Sequence, residues 1–365
     1  MMTRNTLRQK IAQWLAGPTE PPESIAAFVR DIYLAVLERE PAPAELDAAV
    51  AALSSRAVDR RTYIESVVNS AEFQSIHWNR RPVISGCLQS EAEQLFRNFQ
   101  CHQGPGRSGY VTNFLGGITS VSVIDSLARF SGRVEGYPIP RNFHGDVLEW
   151  VGTLRAVLEA KHRFTMIELG AGWAPWCVVG YLASTQRAIP DIHLIAVEGD
   201  RGHIRFAREN FAANNVPESC VTLIHGIAGI EDGEALFPQA RNASHTYDGA
   251  ATAPQTHPAD GDGLEQVLSY RLETLGRGYT PIDLIHCDIQ GAETALFEQA
   301  LPWANAAVRR IVIGTHSFAI DRALITLFGR AGWQAEGINA CVIREEAGAP
   351  TCIADGTQIW HNPNL

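Results

Sequence analysis

The chain has 365 residues, of which 45% are hydrophobic, and its formal net charge at pH 7 is −10. This length favours two or three domains, and the apolar content is enough to bury a sizeable core. The negative charge argues against a broad phosphate-binding surface and therefore against a nucleic-acid substrate.

Cysteine usage and the N-terminal segment predict a cytoplasmic protein. The seven cysteines include no Cys-x-x-Cys pair, and this pattern fits reduced thiols in a cytosol better than a disulfide framework or a zinc site. The charged N-terminal residues are not followed by the apolar segment of a signal peptide. No run of the sequence approaches the ~20 apolar residues that a membrane span needs.

Residues 1–80 are predicted to form a small helical bundle. Their apolar residues recur at helical spacing, which predicts helices over 25–36, 44–53 and 63–73. The segment contains no cluster of titratable side chains that would indicate catalysis. Residues 81–160 are harder to interpret, and we expect a linker and a segment that covers a pocket, with a helix near 150–160.

From residue 164 onward, strand-like and helix-like segments alternate. This alternation predicts a parallel sheet with helices on both faces. Strands are expected at 164–169, 192–198, 220–225, 282–288 and 309–315. Helices are expected at 175–187, 201–213, 264–275, 292–300 and 320–331. The chain closes with two strand-like runs, 334–343 and 357–360, and the polar segment 239–262 is predicted to be a mobile loop.

The turn after the first of these strands is the most informative feature of the sequence. The strand ends at Glu168 and is followed by Gly170 and Gly172, with a helix expected to begin at Pro175. Glycines at such a turn let backbone N–H groups approach a nucleotide-like ligand, and the helix N-terminus adds a favourable dipole. A lone Gly-x-Gly also occurs in ordinary tight turns.

The second strand ends in another acid, Glu198, followed by Gly199. Acids at the carboxyl ends of two successive parallel strands suit a ligand with a cationic end and a ribose. This favours S-adenosylmethionine (SAM) over a dinucleotide. A dinucleotide site would need Gly-x-Gly-x-x-Gly, and Pro175 stands where its third glycine would be.

Four motifs together resemble the FkbM family of SAM-dependent methyltransferases. They are Ile-Glu-Leu-Gly-Ala-Gly-Trp from residue 167, Val-Glu-Gly-Asp from 197, His-Gly-Ile-Ala-Gly from 225 and Asp-Leu-Ile-His-Cys-Asp-Ile-Gln-Gly-Ala-Glu from 283. The match covers roughly residues 145–365. It implies a class I methyltransferase domain over 161–365, which is Rossmann-like α/β with a seven-stranded sheet and an antiparallel last strand. Ala174 departs from the third glycine that such folds often carry.

The resemblance implies which residues would bind SAM. Glu198 is expected to accept hydrogen bonds from both ribose hydroxyls, although it could also be a plain acid at a helix N-terminus. Glu168 is expected near the amino-acid end of the donor. The full expected set is Glu168, Gly170, Gly172, Trp173, Glu198, Gly199, Gly226, Ile227 and Asp288.

Asp288 and His316 are the candidate catalytic residues, because each follows a strand at the edge where the methyl group should lie. Histidine is the commonest general base near neutral pH, so His316 is expected to take the proton of the acceptor hydroxyl. Asp288 or no dedicated base are the alternatives, and Asp288 could also cap the next helix. Together with Glu293 the pair could hold a divalent metal, but no ligand spacing demands it and no metal is expected.

Five further residues are expected to contact the acceptor. His286 lies two residues before Asp288 on the same face of its strand, and Glu293 belongs to the family motif. Segments that precede the sheet commonly cover the pockets in this fold class, and their aromatic side chains could stack on a sugar ring. The alternative for those aromatic residues is core packing. The expected contacts are His286, Glu293, Tyr137, His144 and Trp150.

The N-terminal residues resemble a second family. Segments 28–41 and 69–73 are similar to an uncharacterised helical domain that recurs beside glycosyltransferases and methyltransferases of bacterial surface polysaccharides. This association implies an O-methyltransferase acting on a sugar hydroxyl of a polysaccharide or its precursor, with residues 22–75 contacting assembly enzymes. The alternatives are a secondary-metabolite O-methyltransferase, a non-catalytic SAM-binding module that recruits such enzymes, and an NAD-dependent oxidoreductase.

Overall fold

The computed structural model describes residues 22–37, 39–68, 70, 89–139, 141–245, 247, 263–346 and 349–365. The chain divides into two compact units, Met1–Pro82 and Val83–Leu365. Within the described residues, no helix is both long enough and apolar enough to cross a membrane.

The first unit contains three helices. Helix α1 (Pro22–Ile32) continues as a π-helical turn over Tyr33–Leu37, and α2 (Pro43–Ser54) and α3 (Arg60–Val68) follow. Proline at the start of α2 is tolerated because the first N–H groups of a helix have no intrahelical partner. The helices share one apolar cluster formed by Phe28, Val29, Ile32, Leu37, Ala49, Leu53 and Val67. Helix α3 ends before the predicted residue 73, and 69 and 71–73 lie outside the described residues.

The second unit begins with segments that pack onto its core. They are α4 (Gln89–Phe96), the antiparallel pair β1 (Tyr110–Thr112) and β2 (Ile118–Ser120), a 3₁₀ helix (Asp125–Phe130) and α5 (Val147–Glu159). Helix α5 begins three residues before the predicted position because Asp146 and Glu149 form a capping box. Phe96, Phe114 and Leu148 join the main core cluster, so much of the predicted linker is part of the folded unit.

A nine-stranded sheet forms the centre of this unit. Its strands in chain order are β3 (Arg163–Leu169), β4 (Asp191–Glu198), β5 (Val221–Ala228), β6 (Gly233–Pro238), β7 (Leu264–Tyr270), β8 (Leu284–Cys287), β9 (Arg310–Thr315), β10 (Gln334–Asn339) and β13 (Gly356–His361). A separate hairpin pairs β11 (Val342–Glu346) with β12 (Ala349–Ala354).

The strand order matches the expected fold. Across the sheet it is β10-β13-β9-β8-β3-β4-β5-β7-β6, and β13, the last strand in the chain, is antiparallel to both of its neighbours. The seven strands from β10 to β5 therefore form the class I methyltransferase sheet, which confirms the predicted fold class. Strands β7 and β6 extend this sheet beyond β5.

Helices cover both faces of the sheet. They are α6 (Pro175–Gln186), α7 (Arg201–Ala213), α8 (Leu272–Leu275), α9 (Glu293–Ala307) and α10 (Phe318–Arg330). Apolar side chains from the helices and the two faces of the sheet form two large buried clusters. This arrangement agrees with the buried, parallel strands expected from the sequence.

The predicted helix over 264–275 is wrong for most of its length. Residues 264–270 form β7, which pairs with β5 on one side and β6 on the other, and only Leu272–Leu275 is helical. The run Leu-Glu-Gln-Val-Leu-Ser-Tyr contains helix-favouring residues, but pairing with two neighbouring strands outweighs local propensity. Of the predicted loop 239–262, residues 246 and 248–262 lie outside the described residues.

Candidate active site

A cavity of about 420 Å³ opens at the carboxyl ends of β3, β4, β5 and β8. This is the edge where parallel α/β sheets bind their ligands, and the volume lies within the range usual for small-molecule sites. Its wall includes the turn after β3, the acids after β4, the end of β5 and the loop after β8. The predicted residues that line it are Gly170, Gly172, Glu198, Gly199, Gly226, Ile227 and Asp288.

The glycine turn after β3 depends on unusual backbone conformations. Gly170 and Gly172 have φ angles of 66° and 55°, and Ala174, where a third glycine was expected, has a φ of 55°. A left-handed alanine costs roughly 1–2 kcal/mol, so glycine would relieve strain at that position. At Gly170 a Cβ atom would lie 1.8 Å from the Asp288 carbonyl oxygen. This glycine therefore lets the ends of β3 and β8 come together.

Glu168 lies outside the cavity wall, and its expected position near the donor stays a prediction. Its side chain is buried, and its carboxylate accepts hydrogen bonds from the backbone N–H groups of Trp176 (3.1 Å) and Cys177 (2.7 Å). Ala174, the N-cap of α6, has no side-chain acceptor for these N–H groups. Glu168 supplies that acceptor from the neighbouring strand.

Trp173 also lies outside the cavity wall, although a donor contact was expected. Its ring is buried in a small apolar cluster with Val123, Leu127 and Phe206. It stands edge-on to Tyr247, with ring centroids 5.3 Å apart. The side chain therefore supports the wall from behind instead of forming it.

Glu198 faces the cavity and ties two turns together. Its Oε2 accepts a hydrogen bond from the Gly172 N–H at 2.7 Å, and its Oε1 accepts one from the Asp200 N–H at 2.7 Å. A carboxylate offers about four lone-pair sites, so acceptor capacity remains on the cavity side. This geometry allows the predicted pair of hydrogen bonds from ribose hydroxyls.

Two aromatic side chains that the sequence analysis missed complete the wall around Glu198. His203 stacks on Tyr247 with ring centroids 4.2 Å apart, and its Nδ1 lies 3.5 Å from Glu198 Oε1. Burial alone would lower the pKa of His203, but hydrogen bonding to Glu198 raises it. Tyr247 lies in the polar segment after β6, where no sequence pattern distinguishes it.

Phe237 is a third missed residue and covers the glycine after β4. Its ring atoms lie 2.8 Å from the position that a Cβ atom of Gly199 would take. The ring comes from β6, which the sequence analysis did not predict. Gly199 is therefore required for close packing of a flat apolar wall, on which a planar ring system can lie.

Asp288, which lines this cavity, meets Glu293 and His316, which lie outside its wall. Asp288 follows β8, Glu293 is the first residue of α9, and His316 follows β9. His316 Nε2 lies 3.0 Å from Asp288 Oδ1, and its Nδ1 lies 3.1 Å from Glu293 Oε1. The predicted catalytic pair is thus brought together, and Asp288 also lines the cavity.

The loop between Asp288 and Glu293 fixes both carboxylates. Gln290 and Gly291 have positive φ angles of 58° and 114°, which turns the chain sharply. Glu293 Oε1 accepts hydrogen bonds from the N–H groups of Ile289 (3.2 Å) and Gly291 (3.1 Å). The Gln290 side chain donates to Asp288 Oδ1 at 2.9 Å.

The His316 ring is held between two negative charges. Burial alone would lower its pKa, but Asp288 and Glu293 raise it to about 10. The ring is consequently protonated at neutral pH in this arrangement. An imidazolium cannot accept a proton, so His316 can serve as the predicted general base only after it has lost its own proton.

His286 lies outside the cavity wall, and its expected contact with the acceptor stays a prediction. Its ring is buried, stacks on Trp176 at 4.9 Å and places Nε2 3.2 Å from Glu149 Oε1. Burial lowers the pKa of His286 to about 4 and raises that of Glu149. Burial thus disfavours the charged form of both side chains.

The three aromatic candidates lie outside the cavity wall. Trp150 is fully buried and donates its Nε1–H to Asn142. This position agrees with the alternative of core packing, and the acceptor contact stays a prediction. Tyr137 packs on Phe96 and Phe114 with ring centroids 5.6 and 5.4 Å away. His144 lies 3.1 Å from the Thr119 hydroxyl, and burial lowers its pKa to about 3.

A sheet of this order, with a glycine turn after its first central strand and a cavity-facing acid after the next, defines a class I methyltransferase. No family model matches the chain. A protein of Jannaschia sp. (strain CCS1) that is named as a methyltransferase is 32% identical over 279 residues, which cover 74% of this chain and 98% of that protein. The chain belongs to this methyltransferase family and is an enzyme of that class.

Solved structures give a weaker likeness. Methyltransferase FkbM from Methylobacillus flagellatus KT aligns with a TM-score of 0.36 and 12% identity, covering 56% of this chain and 45% of that one. Precorrin-6y C5,15-methyltransferase from Geobacter metallireducens GS-15 aligns with a TM-score of 0.33 and 14% identity, covering 59% and 87%. Likeness of this degree carries no argument about the reaction.

Proposed function

We propose that this FkbM-like enzyme uses SAM to methylate a hydroxyl group of a sugar in a surface polysaccharide or its precursor. The observation that carries the proposal is that Asp288 belongs to two parts of the site. It lines the cavity that holds Glu198 and at the same time lies 3.0 Å from His316. One carboxylate thus joins a donor pocket to a group that can handle a proton.

The residues of the cavity fit SAM. Glu198 has acceptor capacity for ribose hydroxyls, and Ile227 and Phe237 offer apolar surface for the adenine. Asp288 supplies negative charge for the cationic end of the ligand. When bound, SAM supplies an electrophilic methyl group on a sulfonium centre.

O-methyl transfer forms a bond between the acceptor oxygen and the methyl carbon, breaks the carbon–sulfur bond and releases the hydroxyl proton. The acceptor therefore needs a group that orients its hydroxyl and a group that takes the proton. As an imidazolium, His316 can orient the hydroxyl by donating a hydrogen bond. The Asp288 carboxylate is 42% exposed and is the group that can accept the proton.

The sugar acceptor is supported by the first unit and by the charge of the chain. The three helices over 22–68 belong to the segment that resembles domains found beside polysaccharide-modifying enzymes, so residues 22–75 are proposed to contact such enzymes. The net charge of −10 disfavours nucleic acid. A secondary-metabolite hydroxyl is the alternative acceptor.

Donor identity can be tested by titration calorimetry. SAM or S-adenosylhomocysteine should bind, and NAD should give no comparable signal. Glu198→Ala should weaken SAM binding by about 1.5–3 kcal/mol, the range for a lost hydrogen bond to a charged group. Asp191→Asn is the matched control, because it removes an exposed acid at the other end of the same strand. Tight NAD binding, or unchanged SAM affinity in a folded Glu198→Ala protein, would contradict the proposal.

The acceptor can be tested in cells. The O-methyl sugars of the surface polysaccharide should be compared between the wild-type strain, a deletion strain and the deletion strain that carries the gene again. Loss of one methylated sugar and its return on complementation are the expected results. An unchanged set of methylated sugars would favour the secondary-metabolite alternative.

A further inference from the structure

Asp288, Glu293 and His316 offer one ligand atom each within a sphere small enough for a single ion. These atoms all lie within 4.8 Å of one another. The three residues come from the end of β8, the start of α9 and the end of β9. Because the paired strands and the capped loop fix these positions, the side chains would need little rearrangement to share a ligand.

The contacts around His316 are short but poorly aligned. Its two ring nitrogens lie 3.0 and 3.1 Å from carboxylate oxygens, yet neither nitrogen makes a hydrogen bond of acceptable angle among the described residues. In an octahedral metal shell with bonds of about 2.1 Å, neighbouring ligand atoms lie about 3 Å apart. The lone pair of each ligand atom points at the metal, so it does not point at the neighbouring ligand atom. A single ion can be bound by only one of the two ring nitrogens. The close, off-axis contact between Nε2 and Asp288 Oδ1 is of the kind that two ligands of one ion would show, whereas the contact between Nδ1 and Glu293 Oε1 lies outside that shell.

Glu293 provides an independent observation. Its side chain is fully buried, and its Oε1 already accepts hydrogen bonds from the Ile289 and Gly291 N–H groups. Its Oε2 has no hydrogen-bond partner among the described residues. A buried carboxylate oxygen without a partner is unfavourable, and a bound cation would remove that penalty.

We propose that Asp288, Glu293 and His316 bind one divalent cation of the Mn²⁺ type. Two carboxylates and one imidazole suit a cation that accepts both oxygen and nitrogen ligands. The Glu293 ligand is its unpartnered Oε2, since Oε1 is held by the loop. The Gln290 side chain and the two loop N–H groups orient the carboxylates, as residues behind a metal site commonly do.

Such a cation would also narrow the class of acceptor, and this step rests on the proposed function. Three protein ligands leave three open positions in an octahedral shell. Because Asp288 lines the donor cavity, these open positions would lie beside that cavity. Two adjacent hydroxyls of a sugar can occupy two neighbouring positions. With the cation bound, His316 and Asp288 would act as its ligands in place of the orienting and proton-accepting roles given above. The cation would lower the pKa of a bound hydroxyl, and the proton that is released would pass to solvent. The acceptor is therefore a vicinal diol.

Mn²⁺ binding can be measured without SAM or an acceptor. The full-length protein, treated with EDTA and dialysed, should be titrated with MnCl₂ while the electron paramagnetic resonance signal of free Mn²⁺ is recorded. One ion per chain should bind. Glu293→Gln should weaken binding by at least about tenfold, as expected for a damaged metal site. Glu298→Gln, an exposed acid on the same helix, is the matched control and should bind like the wild type.

A second variant and a parallel measurement keep the outcomes distinct. If Glu293→Gln does not fold, His316→Gln should show the same loss of Mn²⁺ affinity. A wild-type protein that binds SAM but leaves the Mn²⁺ signal unchanged overturns the cation site and leaves the proposed function standing. Stoichiometric Mn²⁺ binding without SAM binding supports the cation site and contradicts the proposed function. Equal Mn²⁺ affinity in Glu293→Gln and Glu298→Gln also overturns the site.

Discussion

The two ends of strand β9 each hold a basic side chain between two carboxylates, but the two clusters are built differently. At the first residue, Arg310 is fully buried and makes two hydrogen bonds to Glu336 (2.7 and 2.9 Å) and two to Glu159 (2.9 and 3.0 Å). At the other end, His316 lies as close to its two acids but makes no aligned hydrogen bond to either one.

The difference separates a structural cluster from a reactive one. Bidentate pairs between guanidinium and carboxylate groups satisfy both charges in a fixed geometry, and four of the five N–H donors of Arg310 are used within its cluster. The His316 cluster keeps an unpartnered buried oxygen on Glu293 and borders the cavity through Asp288. A site with unsatisfied groups is less stable than it could be, and that deficit is what a ligand can relieve.

The largest expected effect is on turnover at the His316 end. His316→Ala should lower the single-turnover methylation rate by about 10²-fold, because it removes the group that orients the acceptor hydroxyl and a small misplacement of reacting atoms can cost that much. SAM affinity should stay within a few-fold, because His316 lies outside the donor cavity wall. Rapid-quench assays with a crude glycan acceptor would measure the rate, with Asp288→Ala in parallel. Full activity of His316→Ala beside an inactive Asp288→Ala would assign the proton transfer to Asp288 alone.

The next effect is on stability at the Arg310 end. Arg310→Met should lower the free energy of unfolding by about 3 kcal/mol at pH 7, the lower part of the range for a broken buried ion pair. We choose the lower part because the Glu159 side chain is 49% exposed. Urea unfolding would measure the loss, with the exposed Arg330→Met as control. The methylation rate per folded molecule should not change. A large loss of rate would contradict a purely structural role for the Arg310 cluster.

This stability difference should depend on pH. Burial alone would raise the pKa of Glu336, but Arg310 holds it below its ordinary value of 4.5. A carboxylate whose pKa is depressed by folding stabilises the protein above its unfolded pKa, and this contribution is lost as the pH falls through the folded pKa. The gap between wild type and Arg310→Met should therefore narrow below about pH 4.5. A constant gap from pH 7 to pH 3.5 would contradict the role given to Glu336.

Register between strands explains why some site residues could be predicted and others could not. Glu168 pairs with Ala196 and with His286, so these residues stand at one level of the sheet. Glu198 and Asp288 each lie two residues further along their strands, roughly 6.6 Å closer to the carboxyl edge. Glu198 and Asp288 consequently face the cavity, while Glu168 and His286 are buried beneath α6.

The sequence predicts where each strand ends, but it does not predict how neighbouring strands are aligned with one another. An acid that follows a strand, and a glycine that follows that acid, are local patterns in the sequence. These patterns correctly predicted helix α7 at 201–213 and the positions of Glu198 and Asp288 at the edge of the sheet. Contributions from distant segments have no local signal. Tyr247 and Phe237 reach the cavity from the β6 region, and Glu168 was needed as a cap only because Ala174 cannot provide one.

A smaller loss of stability is expected at Glu168, whose carboxylate accepts hydrogen bonds from two backbone N–H groups. Glu168→Gln keeps one acceptor but turns an amide NH₂ group toward a backbone N–H, so about 1–2 kcal/mol of stability should be lost. Thermal unfolding would measure the loss, and calorimetry should find SAM affinity within a few-fold of the wild type. A strong loss of SAM affinity in a stable Glu168→Gln protein would return Glu168 to the donor site.

The smallest effect is expected when the first unit is removed. Both ends of β9 and the whole described wall of the cavity belong to residues 83–365. Donor binding depends on the groups that line that wall, so a protein that starts at residue 83 should bind SAM and Mn²⁺ within a few-fold of the full chain. Calorimetry and electron paramagnetic resonance would measure the two affinities, with circular dichroism as the check on folding.

If the first unit only recruits polysaccharide-assembly enzymes, the truncated protein should fail to restore the methylated sugar in a deletion strain while it still methylates an acceptor in solution. Loss of SAM binding in a well-folded truncated protein would instead show that the first unit helps to build the pocket.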